Sequence, residues 1–263
     1  MTRTWICGAA LLSVVSGAAA QEKSVGRDFE AAGKDMLWVW SSPVRFEAED
    51  LEGLGMVAAA SGVTLLVDEH VRRWTIEHPD ALPVRLLTPF REASPINLIG
   101  RTKFLQPLSA AMYLAGWVLD EPDLRAAGIG CSATNVSNTL MRHSMALLLG
   151  RKRPSLEEGA YQFEPLAFGE WENRSFPGGH AANAITCISF WNHRFDLGAA
   201  EPLLYMLGGL VGFARILDDA HWTSDSVVGL SIGVAVGKGV AGRQLGRRAD
   251  TEPIMRVGVR VRF

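Results

Sequence analysis

Residues 124–149, LRAAGIGCSATNVSNTLMRHSMALLL, decide the fold class. They mix Ala, Leu, Gly and Met with small polar residues, run too long for a strand, and lack period-two alternation. They therefore read as a helix. Working outward, apolar segments of the same kind lie near 51–67, 105–119, 180–193, 202–217 and 225–241. Gly100, Pro107, Pro154, Pro177 and Pro202 punctuate the joins. The pattern predicts an all-α fold, a six-helix bundle spanning 51–241 as a single unit.

The flanks read differently. Residues 1–20 carry Arg3, an apolar run and then Ala18, Ala19 and Ala20, the order of a secretory signal peptide cut after Ala20. That order predicts export to a periplasm or cell envelope. Residues 21–50 are mixed and polar and form an N-terminal lead-in. The tail, 242–263, ends in IMRVGVRVRF, where Val257, Val259, Val261 and Phe263 alternate with polar positions as in a short strand.

Of the 263 residues 48% are hydrophobic and 21% charged, which supports a large core. A formal net charge of -2 argues against a nucleic-acid partner for the whole chain. Most apolar segments fall short of the roughly 20 residues of a membrane span, and mean hydropathy is only +0.11. Those two facts favour a soluble or peripheral bundle over an integral one, with membrane association kept open. Cys131 and Cys187 are compatible with a disulfide or with two separately buried thiols.

Three stretches carry chemistry. In ARILDDAHWTSD (214–225), His221 and Asp225 are four apart, on one helical face or across a helix start that Ser224 could cap. A carboxylate on one imidazole nitrogen would fix the tautomer and free the other nitrogen to attack. Arg215, six residues upstream of His221, could fork onto phosphate oxygens. In SFPGGH (175–180), Gly178 and Gly179 expose backbone N–H groups at a helix start, an anion-binding arrangement, and His180 could protonate a leaving oxygen. GRKRP (150–154) ends a helix in cations, which by itself is ordinary dipole complementation. His70, His78 and His193 have charged or polar neighbours and read as solvated. No cluster has metal-ligand spacing, so no metal is expected. The segment 155–176, polar with interleaved Tyr161, Phe163, Phe168 and Trp171, is too long for a plain connection and reads as a cover.

In this order and spacing the three stretches resemble the type 2 phosphatidic acid phosphatase family. Its superfamily includes bacterial non-specific acid phosphatases and vanadium-dependent haloperoxidases. Arg153-Pro154, Pro177, Gly179-His180, Arg215, His221 and Asp225 match its pattern. The resemblance implies the six-helix bundle of that superfamily and metal-independent hydrolysis of a phosphomonoester or lipid phosphate through a phosphohistidine. In that scheme His221 is the nucleophile, Asp225 orients it and His180 is the acid. Arg153, Arg215 and the Gly178 and Gly179 amides bind phosphate. No cofactor is expected, vanadate serving as an inhibitor. Alternatives are a degenerate member that binds phosphate or lipid headgroups with little turnover, or a vanadium haloperoxidase. Three positions depart from the pattern: Ala146 replaces a lysine, Gly178 a serine and Ala214 a serine. Arg142, one turn before Ala146, and Lys152, just past the helix end, are the nearest substitute cations.

Overall fold

The computed structural model describes residues 24–195 and 197–251. The signal-peptide reading of 1–20 and the strand reading of 256–263 lie outside these residues. Within them the chain is all-α, with a single isolated bridge between Arg151 and Phe163. Each of the six apolar segments is helical: α2 (Ala48–Glu77), α4 (Thr102–Val118), α5 (Pro122–Leu149), α6 (Gly179–Phe195), α7 (Ala200–Ala214) and α8 (Thr223–Thr251).

Two further helices were not expected. The short α3 (Leu82–Leu87) follows α2, and α1 (Val25–Trp40) occupies the supposed lead-in. Ser24 caps α1 by accepting from the Arg27 amide. Buried Asp35 fastens α1 to Arg243, Gln244 and Arg247 of α8. The lead-in reading is thereby corrected: α1 packs Val39 and Trp38 into the core and pairs Asp35 with a helix some 200 residues away. The same clamp lies on α8 beyond position 241, which was expected to end the helical unit.

Helices α6 and α8 form the central pair. Gly229, Gly233 and Gly237, four apart on α8, face Gly178, Ala182 and Thr186. A methyl group on Gly233 would stand 2.2 Å from Ile185 Cγ2 and 2.6 Å from the Ala182 carbonyl. Helix backbones approach this closely only where side chains are absent. A Cys131–Cys187 disulfide joins α5 to α6, resolving the two readings of that pair.

Helix α2 packs against α8 and buries Asp68, but most of its residues stay exposed. Asp50–Glu77 is long and apolar enough to cross a membrane by length and composition, and none of its most apolar window is buried in protein. Thr223–Arg247 of α8 passes the same test, but half of its window is core. The bare face of α2, with Leu54, Met56, Val63 and Leu66 exposed, counts against the preference for a soluble or peripheral bundle over an integral one.

Candidate active site

The ends of α5, α6, α7 and α8 converge on one face. Helix α5 stops at Gly150, which adopts φ +59° and donates its amide to the Ala146 carbonyl. A side chain there would strike the Glu164 carbonyl, so the reversal that sends GRKRP into the interior requires glycine. Segment 155–176 then folds back over the arginines. Phe163 bridges Arg151, and the Trp171 ring lies 4.6 Å from the Arg153 guanidinium.

His221 is buried, and its Nδ1 lies 2.6 Å from the Ser175 carbonyl. A carbonyl only accepts, so Nδ1 carries the proton and Nε2 keeps the lone pair. The charged and titrating groups acting on the ring are Arg153, Arg215 and His180. Burial first, and then these cations, hold its pKa well below the ordinary histidine value. The imidazole is therefore neutral at neutral pH.

Asp225 does not perform the contact expected of it. Its carboxylate accepts from Ser175 Oγ, Arg151 Nη1 and the Trp222 amide. It thus acts on His221 at one remove, by holding the residue whose carbonyl holds the ring. Arg151 in turn pairs with Asp68 of α2 at 2.9 Å, and both side chains are buried. Asp68 also accepts from the Ser224 amide at 2.9 Å and from the Ser224 hydroxyl. Ser224 was expected to cap α8, but Asp68 caps it instead and the serine hydroxyl donates.

The glycine pair divides. The Gly178 amide donates to the Asp225 carbonyl at 2.8 Å, so it is committed to the fold rather than turned to an anion. Gly179 and His180 open α6, where first-turn amides have no intrahelical acceptor. The His180 ring packs on Gly100, and its Nε2 is closed off from solvent with no hydrogen-bond partner among the described residues. Burial, then Arg215, Arg101, Arg142 and Arg153, lower its pKa to about 3.

Both expected phosphate-binding arginines are present and occupied by protein acceptors. Arg153 donates to the carbonyls of Ala220 at 2.7 Å, Trp171 at 3.2 Å and Arg174 at 3.3 Å. Burial and the neighbouring Arg215 lower its pKa to about 10, which leaves it charged at neutral pH. Arg215 pairs with Asp218 at 2.8 Å and with Glu92 at 2.9 Å. Lys152 turns outward to Glu158 and Glu164, so it does not replace the missing lysine.

His221, His180, Arg153, Arg215 and Gly179 therefore come together as the sequence spacing implied. Sequence reasoning missed Asp68, Arg151 and Ser175. The one local signal for them was a charge, Asp68, ending the uncharged run of α2.

Residues 127–247 match the family model described as the PAP2 superfamily. The lipid A 1-phosphatase of Porphyromonas gingivalis is 28% identical over 119 residues, covering 44% of this chain and 26% of that protein. The chain thus matches about a quarter of the length of this curated relative. Among solved structures, a transmembrane PAP2 type phosphatidylglycerolphosphate phosphatase from Bacillus subtilis aligns with a TM-score of 0.40 and 15% identity. The alignment covers 83% of this chain and 96% of that one.

Proposed function

We propose that this protein, whose residues 127–247 match the PAP2 superfamily model, is a membrane-associated phosphatase that hydrolyses a phosphomonoester, with a lipid phosphate as the favoured substrate class. The observation that carries the reading is the His221 ring. Its Nδ1 is anchored on Ser175 while Arg153, Arg215 and His180 act on it.

In the first step the Nε2 lone pair of His221 attacks phosphorus and the ester P–O bond breaks. The leaving oxygen takes a proton from His180. In the second step water attacks the phosphohistidine, gives its proton back to His180 and releases inorganic phosphate. Arg153, Arg215 and the Gly179 amide hold the equatorial oxygens. A phosphate dianion between these cations offsets the repulsion that keeps His180 neutral in the free protein, so substrate binding itself supplies the conditions for protonation.

The lipid reading draws support from the exposed apolar face of α2. The C-terminal half of α2 joins the site through Asp68, and through Arg72, which pairs bidentately with Asp219. The relative's name, a lipid A phosphatase, agrees with the same class. Export and a periplasmic location belong to this proposal too.

The test is turnover of soluble phosphomonoesters and lipid phosphates by the full chain in detergent, beside His221→Ala. Loss of turnover by at least about a thousandfold is expected, together with loss of an acid-labile phosphoenzyme seen on rapid quenching of the wild type. Wild-type rates in His221→Ala would refute it. Phosphate binding without turnover would favour the degenerate reading, which the protein acceptors already on Arg153 and Arg215 keep in play.

A further inference from the structure

Arg142 lies on α5, one turn before Ala146, with its guanidinium at the site. A methyl group on Gly179 would stand 3.1 Å from its Cζ and 3.1 Å from its Nε. That Nε is closed off from solvent and has no hydrogen-bond partner among the described residues. The contacts recorded for the guanidinium are to the adjacent His143 ring, 3.4 to 3.5 Å from Nη2, at the long limit of a hydrogen bond. It forms no ion pair among the described residues, and the charge acting on it is another cation, Arg174. It acts in turn on His180 and Arg153.

A partly buried cation, without an ion-pair partner among the described residues and beside further cations, is costly for the fold alone. The cost is offset when an anion enters. We infer that Arg142 is a third cationic contact for the substrate phosphoryl group, holding an oxygen between Arg153 and the first turn of α6. It thereby does from one helical turn away what Ala146 cannot. The inference rests on the phosphatase reading of the His221 site.

A structural role and a ligand-binding role make opposite predictions for the unliganded protein. Arg142→Met removes the unpaired charge and keeps the stem. Its melting temperature without phosphate should equal or exceed that of the wild type, while the upward shift on adding inorganic phosphate should shrink or vanish. Phosphate affinity should fall roughly tenfold to a hundredfold, the range for losing one hydrogen bond to a charged group, and kcat should fall with it. Ala146→Lys in the Arg142→Met background should restore part of the phosphate-induced shift. Arg142→Lys, which keeps the charge, should lose less affinity than Arg142→Met. Unchanged phosphate affinity in Arg142→Met would overturn the inference. So would a large drop in melting temperature with wild-type affinity in Arg142→Lys. If the wild type neither binds phosphate nor turns over substrate, the phosphatase reading itself fails. If it does both and Arg142→Met is indifferent, only this inference falls.

Discussion

At the residue scale, the two site histidines tie stability to pH. Both have folded-state pKa values below the ordinary histidine value of about 6.5, His180 at about 3 and His221 well below normal. Between those limits the unfolded chain binds more protons than the folded one, so acid favours unfolding. Their contribution is fully present above about pH 6.5 and is lost as pH falls toward the folded-state values. Thermal melts from pH 8 to pH 4 should show this decline, and His180→Gln should flatten part of it. Phosphate works in the other direction. A bound dianion raises the His180 pKa, so binding takes up a proton beyond the ligand's own ionisation, measurable by calorimetry in buffers of different ionisation enthalpy. Absence of that uptake would exclude His180 as the acid. The Asp68–Arg151–Asp225 triad is a different kind of feature. One guanidinium lies between two buried carboxyl groups, to which the hydroxyls of Ser175 and Ser224 and two backbone amides also donate, while burial raises the Asp225 pKa.

At the element scale, the site depends on how closely α6 and α8 approach, since one opens beside His180 and the other just after His221. Gly233→Ala forces a methyl group against Ile185 and the Ala182 carbonyl. Overpacking of this kind costs about 1–3 kcal/mol. Both melting temperature and kcat/KM should drop, because separating the helices moves His180 away from His221. Gly209 on α7 is the matching control, with nothing within 4 Å of an added methyl group. Gly209→Ala should be neutral or stabilising by up to about 1 kcal/mol. Equal effects at the two positions would mean that helix approach is not what the glycines provide. Segment 155–176, read from sequence as a cover, does lie on Arg151 and Arg153. Sequence showed that it was too long to be a linker, but not which side chains it would meet.

At the scale of the whole molecule, α2 has two ends with different attachments. Toward its C terminus Asp68, Glu69 and Arg72 bind the site face through Ser224, the Ala160 amide and Asp219. Toward its N terminus Met56 and Val63 are 70% and 65% exposed, uncovered by any of the described residues. If lipid covers that face, Met56→Glu with Val63→Glu should reduce flotation with phospholipid vesicles. A charge at the centre of a bilayer helix costs about 2.5–3.5 kcal/mol on insertion scales. The same pair should leave the melting temperature in detergent close to wild type, since neither side chain is packed. Undiminished flotation would remove the membrane role assigned to α2.

The sequence by itself determined the six apolar helices and the five residues that meet at the candidate site. Helical hydrogen bonds are local, and composition over a dozen residues or more is enough to specify them. The fixed spacings within GRKRP, SFPGGH and ARILDDAHWTSD were legible for the same reason. Only the tertiary structure decided what those residues touch. Asp225 reaches His221 through Ser175, 50 positions away, and Asp68 caps α8 from 156 positions away. The Gly178 amide is committed to the fold, and Arg142 is left at the site without a carboxylate among the described residues. No local pattern encodes such pairings, because a buried charge takes its partner from whichever helix end the packed backbones bring within reach.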